Sequence, residues 1–133
     1  MAEQVFLDTD ILIDFSQDQP EAVQTIAQLE KNYEFNISVI VAMELYAGGR
    51  SKKELANIDT FLSDFKISFL TKSISEQALA WMREFRPSHG VEINDMLIAA
   101  TAFSTNTAFI SKNQKHYKFL SGLNLLDYPW SKT

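Results

Sequence analysis

Three carboxylates in this chain stand in company that should exclude them. Asp8 follows the apolar run Val5-Phe6-Leu7, and Glu44 lies inside Val41-Ala42-Met43-Glu44-Leu45-Tyr46-Ala47. Asp95 opens the most apolar stretch of the sequence, residues 96–103. An unpaired carboxylate in apolar surroundings must find a partner, take up a proton or reach solvent. Each acid alone has an ordinary explanation. Asp8 suits the N-cap of a following helix, Asp95 the first turn of one, and Glu44 the exposed strip of another. One explanation serves all three at once: they converge to hold a dication. Oxygen-only donors suit Mg²⁺ or Mn²⁺, which take carboxylate and water. The spacing is too wide for an EF-hand loop, and no H-E-x-x-H or C-x-x-C pattern points to zinc.

Convergence requires elements that bring distant acids to one edge. Residues 4–7 read as a buried strand, 11–15 as a helical turn, and Pro20 as the first residue of a helix running to about residue 32. A second strand at 35–38 leads into a helix at 39–47, closed by Gly48-Gly49 as a C-cap. Ser51 and Glu54 form a capping box for a helix whose stripe is Leu55, Ile58, Phe61, Leu62 and Phe65. A third strand at 67–70 precedes a helix capped by Ser73 or Ser75 and ending before Pro87, with Ser88-His89-Gly90 as a loop. Asn94-Asp95 starts the apolar helix to Phe103. A fourth strand follows at 107–110, a turn or short helix at 113–119, and a fifth strand at 123–126. Strands alternating with helices imply an α/β protein: a three-layer α/β/α sandwich with a mainly parallel sheet of four to five strands. In such sheets the binding crevice lies outside the carboxyl ends of the strands, where Asp8 falls.

The 133 residues are expected to form a single domain spanning 1–133, and 46% hydrophobic with 22% charged residues is ordinary for a globular protein. The absence of cysteine excludes disulfides, thiolate metal sites and cysteine nucleophiles. No apolar run approaches the ~20 residues a membrane span needs, and the first residues lack the pattern of a signal peptide, so a cytoplasmic location is expected. The net charge of −5 is unlike that of a passive nucleic-acid binder, which is usually basic. Carboxylates that bind metal can nevertheless face phosphate through it.

Four short motifs occur in a fixed order: Phe6-Leu7-Asp8-Thr9-Asp10-Ile11-Leu12; Ile37-Ser38-Val39-Ile40 leading into Glu44-Leu45-Tyr46-Ala47-Gly48; Asn94-Asp95-Met96-Leu97-Ile98-Ala99-Ala100-Thr101-Ala102; and Ile110-Ser111-Lys112-Asn113-Gln114-Lys115-His116-Tyr117. Together they resemble the PIN-domain family over nearly the whole chain, and within it the VapC-type toxins of toxin–antitoxin pairs. The resemblance implies an endoribonuclease dependent on Mg²⁺ or Mn²⁺, with Asp8, Glu44 and Asp95 as metal ligands and catalytic acids. It implies hydrolysis by an activated water, leaving a 5′-phosphate. It further implies an antitoxin partner and a homodimer, for which apolar faces of the helices at 51–64 or 75–86 are candidates. By the same resemblance Asp10, Ser38, Ser111 and Asn113 line the site, backing the ligands or touching RNA.

Two positions depart from the family pattern. Asp10 stands where Asn is frequent, adding an acid. His116 stands where many members carry a fourth acid; its imidazole could ligate Mn²⁺, shuttle a proton or, when protonated, contact phosphate. Lys112, Lys115 and Lys118 around it, with Arg50, Lys52 and Lys53 after the Glu44 helix, could steer RNA. Tyr46 and Tyr117 could stack on bases but suit packing better. Two other readings remain open. A haloacid-dehalogenase-type phosphatase would use Asp8 and Asp10 as nucleophile and acid, although Glu44 has no role there. A non-catalytic RNA- or protein-binding module would account for the missing fourth acid.

Overall fold

The computed structural model describes residues 3–131. Its strands are β1 (Glu3–Leu7), β2 (Tyr33–Ser38), β3 (Lys66–Ser68), β4 (Ala108–Ile110) and β5 (Leu125–Leu126). They form one all-parallel sheet in the order β3-β2-β1-β4-β5. The helices are α1 (Thr9–Ser16), α2 (Pro20–Leu29), α3 (Val39–Ala47), α4 (Lys52–Leu62), α5 (Lys72–His89) and α6 (Ile93–Ser104), with a 3₁₀ turn at Gln114–His116. The chain steps from β1 to β2 to β3 in one direction and then returns past β1 to β4. Right-handed crossovers accordingly put α1–α4 on one face and the α5–α6 pair on the other. The reversal falls between β1 and β4, and the crevice of such a sheet opens there.

Burial explains why the strands are short apolar runs rather than alternating ones. Val5, Phe6 and Leu7 in β1, and all three residues of β4, are buried, as expected for strands covered on both faces. Ile11, Leu12, Leu29, Ile37 and Val41 pack around them with no exposed surface. α6 is buried at Met96, at Ile98 and through residues 99–102, matching its nearly uniform apolar sequence. Among the described residues no helix is long and apolar enough to cross a membrane.

Several boundaries differ from the sequence expectation. α5 does not stop before Pro87 but continues to His89, so the segment 88–90 is helix and cap rather than loop. Proline costs this helix one N–H bond, and packing offsets that cost: His89 stacks on Phe119 with centroids 4.0 Å apart, and Phe85 meets the same ring edge-on at 5.0 Å. The N-cap of α5 is Thr71, whose hydroxyl accepts from the Ile74 N–H at 3.2 Å, rather than Ser73 or Ser75. Gly48 does cap α3, yet with φ −80° it uses no left-handed conformation. At its neighbour Gly49 the helices approach closely: a Cβ there would lie 2.7 Å from Leu55 Cδ2 in α4, so that side chain would have to shift. The expected stripe of α4 faces inward in its second half, where Leu62 is buried and Ile58 and Phe61 pack on the core with Phe65 just beyond the helix, but Leu55 in the first turn is exposed.

Gly90 closes α5 in the left-handed region, at φ +62° and ψ 32°, donating to the Arg86 carbonyl at 3.1 Å. Nothing lies within 4 Å of the Cβ it lacks, so the conformation alone selects glycine. Gly90→Ala should therefore lower unfolding free energy by about 1 kcal/mol in a denaturant titration, without changing the fold.

Candidate metal centre

The parallel register of β1 and β4 builds the floor of the site. Leu7 is level with Ile110, and the Asp8 N–H continues the ladder by donating to the Ile110 carbonyl at 3.0 Å. Asp8 and Ser111 therefore leave the two strands side by side at the point where the connections reverse. The Ser111 hydroxyl donates to Asp8 Oδ2 at 2.7 Å. Asp8 also caps α1, its Oδ1 accepting from the Thr9 N–H at 2.8 Å. The ordinary explanation and the functional one thus share a side chain: one oxygen caps the helix while the other accepts from Ser111 and Tyr117.

The remaining acids reach Asp8 through hydroxyl groups. The Thr9 hydroxyl donates to Glu44 Oε1 at 2.5 Å, and Asn94 Nδ2 donates to Glu44 Oε2 at 3.2 Å. The Tyr117 hydroxyl donates to Asp8 Oδ2 at 3.1 Å and lies close enough to Asp95 to stabilise its charge. His116 Nδ1 stands 3.3 Å from Asp95 Oδ2. Asp8, Glu44 and Asp95 therefore belong to one connected network on one surface. They do not form a closed cage: among the described residues no three His, Asp or Glu side chains are already gathered tightly enough to hold an ion.

The other expected residues divide by what they touch. Asp10 accepts from the backbone N–H groups of Lys112, at 3.4 Å, and Asn113, at 3.2 Å, and from Ser111 Oγ at 3.3 Å. It thereby fastens the loop after β4 beside Asp8. Asn113 contributes its backbone to that loop and leaves its side chain exposed. Ser38 is buried; its oxygen accepts from the Ile40 N–H at 3.1 Å, so it caps the helix that carries Glu44 and has no face for RNA. Tyr117, 1% exposed and edge-on to Phe109 at 4.9 Å, cannot stack on a base. Lys112 is paired with Asp14 at 2.8 Å.

Electrostatics show what the network lacks. Burial, helped by the neighbouring Asp10 charge, pushes the Asp8 carboxyl up to about 7. Burial also raises Asp10, against the opposing N–H donors of the loop, and it raises Asp95 against His116 and Tyr117. Tyr117 is driven far above its usual range, by burial first and by the Asp8 and Asp95 charges next, so it remains a donor. Hard oxygen donors that resist ionising together are the donor set a dication relieves. The chemistry of the residues fits a hard divalent cation.

Sequence reasoning had no role for Thr9 or Asn94, and for Tyr117 it favoured packing, which its burial bears out, without foreseeing the hydrogen bond to Asp8. Thr9 had a local signal, standing next to Asp8 at the start of a helix. Asn94 and Tyr117 act across 50 and 109 residues, and no spacing rule reaches that far.

With this geometry in place the similarities to known proteins become interpretable. A model of the PIN domain matches residues 5–119, so the chain belongs to the PIN-domain family. Ribonuclease VapC19 of Mycobacterium tuberculosis is 33% identical over 119 residues, covering 88% of this chain and 94% of that protein. A toxin–antitoxin complex from Klebsiella pneumoniae contains a chain of the same fold, with TM-score 0.76 and 27% identity over 96% of this chain and 99% of that one. VapBC2 from Rickettsia felis, bound to a DNA fragment from its promoter, matches with TM-score 0.75 and 26% identity over 92% and 96% of the two chains. Membership leaves the phosphatase reading without support.

The raised carboxyls make a stability prediction. Below the unfolded Asp8 value of 3.8 both states are protonated; as pH rises the unfolded chain ionises first, so stability falls until pH passes about 7. Asp8→Asn removes this loss. In chelator-treated protein it should be stabilising, on the order of 2 kcal/mol near pH 8, and close to neutral near pH 4 in urea titrations. Equal effects at both pH values would contradict the burial argument.

Proposed function

We propose that this protein is a Mg²⁺- or Mn²⁺-dependent endoribonuclease that hydrolyses RNA phosphodiester bonds as the toxin of a VapBC-type toxin–antitoxin pair. The observation that carries the proposal is the hydrogen-bonded linkage of Asp8, Glu44 and Asp95 at the switch point of a PIN-domain sheet. The similarity to a ribonuclease and to toxin–antitoxin complexes supports it. In this account Asp8, Glu44 and Asp95 hold the ion. Bound there, the metal supplies an activated water and neutralises charge on the phosphate oxygens.

The chain's own groups position and shuttle. Ser111 and the Thr9 N–H fix the two oxygens of Asp8, and Asn94 and the Thr9 hydroxyl fix those of Glu44, so the acids are aimed before substrate arrives. His116 rests on Asp95 with more than half its side chain exposed, placing an imidazole where it can pass a proton to the leaving oxygen. Asp10 keeps the loop bearing His116 against the site.

An RNA-cleaving toxin works in the cytoplasm, restrained by its antitoxin, and we include a homodimer in the proposal. Leu79 in α5 and Phe69 just before it, 71% and 69% exposed, are the apolar side chains that a second copy would cover. The second reading, binding without turnover, is favoured by His116 standing beside Asp95 where the family pattern carries a fourth acid.

Cleavage of RNA titrated with Mg²⁺ or Mn²⁺ separates the two. Wild type should produce 5′-phosphate ends, while Asp8→Asn should lose about a hundredfold or more of the rate. Equal cleavage by both would place the site elsewhere, and RNA binding without cleavage by either would favour the binding module. Tyr117→Phe, which keeps the ring and removes the donor, should lower the rate or the metal affinity about tenfold.

A further inference from the structure

The surroundings of the acids are lopsided. On the α3 side the surface depressions are lined by Glu44, Glu92, Ile93 and Asn94, and further along by Ile13, Leu45, Glu54 and Ile58, with no Lys, Arg or His among their lining residues. A polyanion laid there meets carboxylates and neutral surface, and the exposed Arg50, Lys52 and Lys53 that follow α3 are not among the lining residues. On the opposite side of Asp95 lies a cleft of about 180 Å³ between the α5–α6 loop and the 3₁₀ turn. Glu92 and Asp95 line both sides, but only this cleft adds cationic and ring groups to them: His89, Lys115, His116 and Phe119. Lys115 makes no ion pair among the described residues, unlike Lys112.

The cleft is built rather than incidental. His89 lies flat on Phe119 at 4.0 Å with an interplanar angle of 23°, and its Nδ1 is 2.7 Å from Ser88 Oγ. The wall that carries it is fastened by Arg86, whose Nη1 donates to the carbonyls of Gly90 at 3.2 Å and Val91 at 2.9 Å. An aromatic ring fixed in advance spends little entropy when a flat ligand stacks on it. A neighbouring ammonium adds attraction for phosphate.

We propose that this cleft is a nucleotide subsite, in which a base of the RNA stacks on His89 and its phosphate is met by Lys115. The proposal rests on the ribonuclease reading above and adds the direction from which the strand reaches the acids. The strand lies along the α5–α6 loop, and the α3 side is left free of nucleic acid.

The test is fluorescence anisotropy of a labelled single-stranded RNA of about ten nucleotides, with Ca²⁺ replacing Mg²⁺, run beside cleavage assays in Mg²⁺. His89→Ala should weaken binding about tenfold, and His89→Phe, which keeps a stacking ring, should restore it to within about twofold of wild type. Lys115→Gln should weaken binding several-fold and lower the slope of log K against log salt by about one. Lys31→Gln, just before the amino end of β2 and so at the opposite end of the strands from the acids, should change neither. Wild-type binding by both His89→Ala and Lys115→Gln, with wild type still cleaving RNA, would overturn the subsite and leave the nuclease standing. Equal weakening by His89→Ala and His89→Phe would assign the ring to the fold and overturn stacking. If wild type neither binds nor cleaves RNA, the subsite and the nuclease reading fall together.

Discussion

A carboxylate buried at the end of a parallel strand governs this molecule. Asp8 is 6% exposed and flanked by Asp10, yet its backbone is locked by β1–β4 pairing and by the cap it gives α1. It is largely withdrawn from water and cannot move away. Three donors, Thr9 N–H, Ser111 Oγ and Tyr117 OH, lower the cost of its charge without abolishing it. Each of those donors is held by an element of its own, so the surrounding structure is committed to keeping one uncomfortable group in place. Natural proteins retain such conflicts where function requires them.

The fold was legible because burial writes directly into sequence. Strands covered on both faces must be continuous apolar runs, and β1 and β4 are. The helix after β2 carries an acid that its neighbours cannot pair, and Glu44 proved to be paired from elsewhere, by Thr9 and Asn94. The end of α5 was illegible for a complementary reason. Pro87 carries a strong local signal to stop, whereas the packing of Phe85 and His89 on Phe119 is a tertiary fact about residues thirty or so positions downstream.

The acids of the candidate site were legible as residues out of place, and what joins them was not. Carboxylates in apolar company are conspicuous, but a threonine beside an aspartate or a tyrosine in a lysine-rich loop is not. Tyr117 shows the limit most clearly: its burial makes it a packing residue, and its hydroxyl makes it the link between Asp8 and Asp95. Ser38 shows the converse, a residue adjacent in sequence to site elements whose oxygen serves only the cap of α3 and the contact with Thr101.

The central claim is that these acids are held together in order to share a divalent ion. Anomalous diffraction from crystals grown with Mn²⁺ tests it most directly. The account expects a manganese peak within bonding distance of Asp8 and Asp95, with Glu44 drawn toward it, at about 2.0–2.3 Å from the carboxylate oxygens. A well-ordered site with no manganese between these residues, at concentrations that saturate activity, would contradict it.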